Sequence, residues 1–233
     1  MVAFGYTKFF NYGEETRVDD IDWGTARVTE KLDGTLILLY YYDDAWQVAT
    51  TGRADASGEV SGAKKQQTSF ADLFWSTFRQ LGYRLPTCDG RFCYLFELMT
   101  RHNQVVVKHE KPRIVLHGIR EVGVFPYPEH LPEPFAAEYG WEVARTFPLS
   151  QLSEVLAACE PLEGTEAEGF VVTDQDFHRL KVKAASYVRL AHLKGRLENS
   201  RDNLLEVSPV FLWGDRRCLL FYERWCSTMK APR

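Results

Sequence analysis

Among the residues of this chain, Glu30-Lys31-Leu32-Asp33-Gly34-Thr35 has the types and spacing that could do chemistry. A lysine followed two residues on by a carboxylate, and then by a glycine, suits attack on phosphorus. The amine supplies the nucleophile, and the glycine lets a phosphate come close to the backbone. Lysine fits this use because its proton is readily removed by burial or by neighbouring charge. The same residues also fit a surface turn, with Asp33-Gly34 joining two strands and Lys31 solvated. Lys-x-Asp-Gly arises by chance in on the order of a few per cent of chains this long, so the surrounding elements must decide.

Those elements can be placed from pattern. Ala26–Val28 leads into the motif and Leu36–Tyr42 leads out as a buried strand, turning at Asp43-Asp44 into a partner at Trp46–Thr51. Arg53 begins a polar, glycine-containing loop through Gln67. Ser69 reads as an N-cap, with Phe70, Leu73, Phe74, Phe78 and Leu81 at helical spacing and Gly82 as the stop. Phe92–Leu98 is an apolar strand carrying one charge, Glu97, which must be edge-exposed, paired or part of a site. Val105–Val107 and Arg113–Ile119 read as further strands, Pro126–Pro134 as a surface loop, and Leu149–Cys159 as a helix capped by Ser150. Glu168-Gly169 opens a strand through Val172. It pairs across a turn at Asp174–Phe177 with Arg179–Lys183, where Lys181 and Lys183 project to one face. Two such cations are either a solvated outer face or the two sides of an anion site. A helix follows over Tyr187–Leu197.

Near the N-terminus, Lys8 sits among Tyr6, Phe9, Phe10 and Tyr12. This is either a core strand with a solvated charge or an aromatic wedge aiming Lys8 at an anion. The chain has 233 residues and a net charge of −4, so no global basic field attracts polyanions and any such site must be local. The five cysteines are odd in number and scattered without a metal-type pair, which reads as reduced thiols in a cytoplasmic protein. No apolar run has membrane-spanning length.

Taken in order, Lys31-Leu32-Asp33-Gly34, Phe96-Glu97-Leu98, Glu168-Gly169-Phe170-Val171 and Lys181-Val182-Lys183 resemble four motifs of the covalent nucleotidyltransferase superfamily, which contains the ATP-dependent ligases and mRNA capping enzymes. Within it, Lys8-Phe9-Phe10-Asn11-Tyr12-Gly13-Glu14, Asn103–Val107, and Tyr187 with His192 resemble the phage-type RNA ligases that seal broken tRNA. The resemblance covers residues 6–197. It implies an α+β fold: an ATP-grasp-like ligase adenylation (nucleotidyltransferase) domain over residues 1–197, with antiparallel sheets flanked by helices. Residues 198–233 would form a short C-terminal appendage.

That resemblance implies ATP and Mg²⁺, with Mn²⁺ as a substitute. Lys31 would form a lysyl-AMP, pass the AMP to an RNA 5′-phosphate, and let an RNA 3′-hydroxyl displace it. Glu30, Asp33 and Gly34 would flank the nucleotide, Glu97 would accept from its ribose, and Glu168 would orient Lys31 or a metal-bound water. Lys181 and Lys183 would meet the phosphates. His117 would offer a face to adenine or be a buried, hydrogen-bonded histidine. Relatives carry an arginine on a strand ahead of the Lys8 segment, where this chain starts too late, so Lys8 is expected at the β/γ-phosphates. Some relatives place a basic residue where Thr51 stands, a role Arg53 would fill. No dense carboxylate cage for a metal is expected, and the protein is expected to be a monomer. The competing expectations are a DNA ligase, a GTP-using capping enzyme, and a nucleotide- or RNA-binding protein without catalysis.

Overall fold

The computed structural model describes residues 3–14, 20–60, 68–87 and 90–199. Residue 19, residues 61–67, Cys88, Cys218, Cys226 and nearly all of the C-terminal appendage fall outside them. The chain divides into a compact unit, Met1–Ala191, and a second unit, His192–Arg233.

In chain order the strands and helices are β1 (Phe10–Asn11), β2 (Arg27–Lys31), β3 (Thr35–Tyr42), β4 (Ala45–Ala49), α1 (Phe70–Gln80), β5 (Phe92–Met99), β6 (Arg113–Glu121) and β7 (Glu129–His130). They continue as α2 (Glu133–Tyr139), β8 (Glu142–Val143), β9 (Thr146–Phe147), α3 (Leu152–Cys159), β10 (Gly169–Thr173), β11 (Arg179–Lys183) and α4 (Ala185–Asn199). Two sheets result. One runs β1-β11-β10-β2-β9, and the other runs β4-β3-β5-β6-β7 with β8 added beside β6. Apart from the β1–β11 and β6–β8 pairs, the ladders are antiparallel. This is the expected α+β architecture.

Each sheet has an apolar back. Strands β3, β5 and β6 turn Ile37, Leu39, Tyr94, Phe96, Ile114 and Leu116 toward α1, whose Phe74 and Phe78 are buried against them. Each such phenylalanine contributes roughly 1.5–3 kcal/mol on burial. Ser69 caps α1 with a full capping box to Asp72. In the first sheet, Val28, Phe170, Val172, Leu180 and Val182 pack on Val155 and Cys159 of α3. With both backs covered, the other faces turn toward each other.

Several sequence expectations are corrected. Val105–Val107 is not a strand, because the N–H groups of Val106 and Val107 donate to the Asp33 carboxylate instead of to a ladder. Ser150 is not the cap of α3. Gln151 holds that position, while the Ser150 N–H and hydroxyl donate to Glu154. The proline-marked loop contains β7 and the start of α2, whose first turn tolerates Pro134 because the first helical N–H groups have no partner there.

Candidate active site

Register builds the site in rows. β10 lies between β2 and β11, so Gly169 stands between Lys31 and Lys183, Val171 between Thr29 and Lys181, and Thr173 between Arg27 and Arg179. Because side chains alternate, the residues flanking β10 in these rows share the face opposite Val28, Leu180 and Val182. A cavity of about 330 Å³ opens over that face. Arg27, Thr29, Lys31, Val171, Thr173, Arg179 and Lys181 line it from the first sheet, with Leu36, Glu97 and His117 opposite.

Glu168 joins the two lysines of the first row. It is 4% exposed, with Oε2 2.9 Å from Lys31 Nζ and Oε1 3.0 Å from Lys183 Nζ. The next residue must be glycine. Gly169 has φ +141°, and a Cβ there would lie 2.1 Å from the Val182 carbonyl oxygen. Lys181 Nζ lies 4.2 Å from the centre of the Phe9 ring. Burial, with Lys31 and Lys183 nearby, lowers the Lys181 pKa.

The opposite wall holds a polar pair in an apolar sheet. β5 and β6 shift register so that Leu95 faces Gly118 while Phe96 faces Leu116, leaving His117 as the extra residue of a bulge. The Tyr6 phenol oxygen is 2.8 Å from both the His117 carbonyl oxygen and Nδ1. With one phenolic proton, O–H donates to the carbonyl and Nδ1–H donates to the phenol. Nε2 is then the bare nitrogen, buried without a hydrogen-bond partner, with Glu97 Oε2 3.6 Å away. Burial pushes the His117 pKa down to about 3, with Arg179 and Lys31 adding to the effect. Burial pushes Glu97 up to about 8, opposed by Lys31 and reinforced by Glu168. At neutral pH the pair is therefore an uncharged imidazole facing a protonated carboxyl.

The other expected residues take different places. Asp33 does not face the cavity. It is 4% exposed, with Oδ2 accepting from Val106 N and Val107 N and Oδ1 accepting from the Tyr187 hydroxyl at 2.6 Å. A Cβ on Gly34 would meet the Leu98 carbonyl oxygen at 2.4 Å, so this glycine serves close packing on β5. Glu30 lines the cavity and accepts from Arg113 and from Arg145 N. Lys8 and Arg53 are exposed and do not line the cavity. Lys8 lies over the Phe10 ring. The pairing of Asn11 with Lys181 puts the neighbouring odd position, Phe9, on the cavity side instead. The aromatic segment thus positions Lys181, not Lys8. Arg53 closes a turn back to Thr50.

Sequence reasoning missed Arg27, Arg179 and Tyr6. Arg27 pairs with Glu133, and Arg179 with Glu129, which also holds Arg120. The signal was present in period two: Arg27 shares a strand face with Lys31, and Arg179 with Lys181 and Lys183.

An RNA ligase family profile matches residues 1–187. The chain belongs to the RNA ligase family. An RNA ligase of Rhodothermus phage RM378 is 28% identical over 88% of this chain and 60% of its own length. RNA ligase 1 of bacteriophage TS2126 is 27% identical over 72% of this chain and 43% of its own length. A putative bifunctional polynucleotide kinase/RNA ligase of Autographa californica nuclear polyhedrosis virus is 28% identical over 73% of this chain and 24% of its own. The chain thus spans between a quarter and three-fifths of these relatives. Among solved structures, an archaeal ATP-dependent RNA ligase superposes with a TM-score of 0.56 at 17% identity, covering 89% of this chain and 56% of that one. A Naegleria gruberi RNA ligase variant with AMP and manganese gives 0.51 at 15% identity, covering 71% and 52%. These likenesses establish the nucleotidyltransferase fold. Among the described residues no helix is long and apolar enough to cross a membrane.

Proposed function

We propose that this chain is the adenylating part of an ATP-dependent RNA ligase, with residues 1–197 as the adenylation domain and 198–233 its C-terminal segment. The observation that carries the reading is the first row: Lys31, which lines one end of an intersheet cavity with Lys181, shares the buried Glu168 with Lys183 behind it. A nucleotide lying between the sheets would bring its α-phosphorus to Lys31. The Lys31 amine then attacks phosphorus, pyrophosphate leaves, and AMP remains on the lysine. Glu168 is the carboxylate placed to hold the proton released at Nζ. Lys181 and Lys183 neutralise charge on the phosphates, which is the main demand of phosphoryl transfer. His117 and Val171, on opposing sheets, are placed to bracket the base, and Glu97 to meet the ribose hydroxyls.

The RNA 5′-phosphate next attacks the bound AMP and frees Lys31, after which an RNA 3′-hydroxyl displaces AMP to close the strand. The donor set fits a Mg²⁺ or Mn²⁺ ion carried largely by phosphates. Among the described residues no cluster of three His, Cys, Asp or Glu side chains would cage a metal, and Glu168 is the carboxylate held between Lys31 and Lys183. When bound, such an ion supplies further neutralisation of phosphate charge. The setting of this reading is a cytoplasmic monomer.

The test is incubation with α-labelled ATP or GTP and a divalent metal, then denaturing electrophoresis and peptide mapping. Label from ATP on the Lys31 peptide, lost in Lys31→Met, is the expected result. Lys31→Met should still seal RNA whose 5′ end is already adenylated. Preferential labelling from GTP would move the chain to the capping branch, and sealing of DNA ends alone to the DNA ligases. Absence of label from folded protein that binds ATP would leave a binding module.

A further inference from the structure

The segment after β5 carries Arg101, His102, Lys108, His109 and Lys111 against one carboxylate, Glu110, in a chain whose net charge is −4. It is held at two points. Asn103 is 9% exposed and uses both ends of its amide: Oδ1 accepts from Thr100 N and Oγ1, and Nδ2 donates to Thr35 Oγ1 and the Leu98 carbonyl. Further on, Asp33 takes the N–H groups of Val106 and Val107, and its carbonyl oxygen lies 3.0 Å from His109 Nε2. The loop is therefore rigid where it is buried and fastened to the residue two places after Lys31, a span of at most about 7 Å.

Its charges point elsewhere. Arg101, Lys108 and Lys111 are exposed, line no part of the cavity, and have no carboxylate partner among the described residues. By contrast, Lys31, Lys183, Arg27, Arg113, Arg120 and Arg179 are all ion-paired. Three unanswered cations on a rigid loop beside the nucleophile, outside the nucleotide cavity, fit a second polyanion that must meet Lys31 from the solvent side.

We infer that the 101–111 loop is the docking surface for the phosphate backbone of the RNA strand whose 5′-phosphate receives AMP. The inference rests on the reading that Lys31 carries AMP to RNA. Neutralising each phosphate releases counterions, so affinity for a single strand should fall with salt by about 0.7 per contact on a log–log plot.

The experiment compares the full chain with the triple variant Arg101→Ala, Lys108→Ala, Lys111→Ala. Fluorescence anisotropy measures binding of a short 5′-phosphorylated single-stranded RNA over a range of salt. Labelling of Lys31 from ATP, and passage of that label to RNA, are followed in the same preparations. Expected are RNA affinity about ten-fold or more weaker at low salt, a salt slope smaller by about 2, label transfer slowed to match, and Lys31 labelling within about two-fold of the parent. That last value also shows that the variant is folded. Unchanged RNA affinity and slope would overturn the inference. So would Lys31 labelling that falls as far as transfer, which would assign these charges to the phosphates of ATP. Should the parent chain form no lysyl-AMP while the variant still loses RNA binding, the surface stands and the ligase reading falls.

Discussion

Glu97 and His117 face each other and pull stability in opposite directions with pH. His117 is held near 3 in the fold against an ordinary 6.5, so the unfolded chain binds more protons between those values and His117 makes stability rise with pH there. Glu97 is held near 8 against 4.5, so the folded chain keeps a proton that the unfolded one has lost, and stability falls with pH across that window. The two overlap up to pH 6.5, and above it Glu97 acts without His117. The melting temperature of the ligand-free protein should therefore fall between pH 6.5 and 8, and Glu97→Gln should flatten that fall. A slope in Glu97→Gln equal to that of the parent would show that another group is responsible. At the same scale, Glu168→Gln keeps shape and removes the charge shared by Lys31 and Lys183. Lysine labelling from ATP should drop on the order of 10²-fold, the size expected for a proton-accepting group, as followed by the initial rate of adduct formation.

At the scale of elements, the β10–β11 pair depends on one backbone. Gly169→Ala puts a Cβ against the Val182 carbonyl at a φ that side chains rarely adopt, so it should cost more than about 2 kcal/mol in urea unfolding. Tyr187→Phe strands the buried Asp33 Oδ1 and should cost about 1–3 kcal/mol, read by the same method. These two positions also show what the sequence made legible. The strands bearing Lys31, Glu97 and Lys181–Lys183 followed from alternation and from motif order, and the α1 cap followed from Ser69. What alternation cannot show is a partner far away in the chain. Val105–Val107 has strand composition, yet its N–H groups go to a carboxylate more than seventy residues earlier. Asp33 follows Lys31 by two residues, yet serves as the anchor for that loop. Lys8 lies over the Phe10 ring and outside the cavity for a similar reason, because its direction is set by the pairing of Asn11 with Lys181, which no local pattern reveals.

At the scale of the molecule, the nucleotide would bind between two sheets, so it should act as a clamp on both. ATP at one hundred times its Kd stabilises by about 2.7 kcal/mol, or roughly 5–11 °C in melting temperature for a chain of this size. Differential scanning fluorimetry should show this shift, and Lys31→Met should keep most of it, since the clamp needs the cavity and not the bond to phosphorus. A shift abolished by Lys31→Met would place the binding energy on the lysine itself.

The distribution of charge along the rows has a consequence for how a guest is oriented. At the Arg27–Arg179 end each arginine is ion-paired, Arg27 with Glu133 and both Arg120 and Arg179 with Glu129, and Asp174, paired with His178, lines the cavity beside them. At the other end Lys31 and Lys183 share Glu168, Lys181 has no carboxylate partner among the described residues, and the Glu97 carboxyl is uncharged. The cavity is thus electrically quiet at one end and cationic at the other, so a molecule with an aromatic head and an anionic tail has one favourable heading. Such polarity sorts ligands before any specific contact forms: a free phosphate or a free base can satisfy only one end, and a nucleotide inserted backwards satisfies neither.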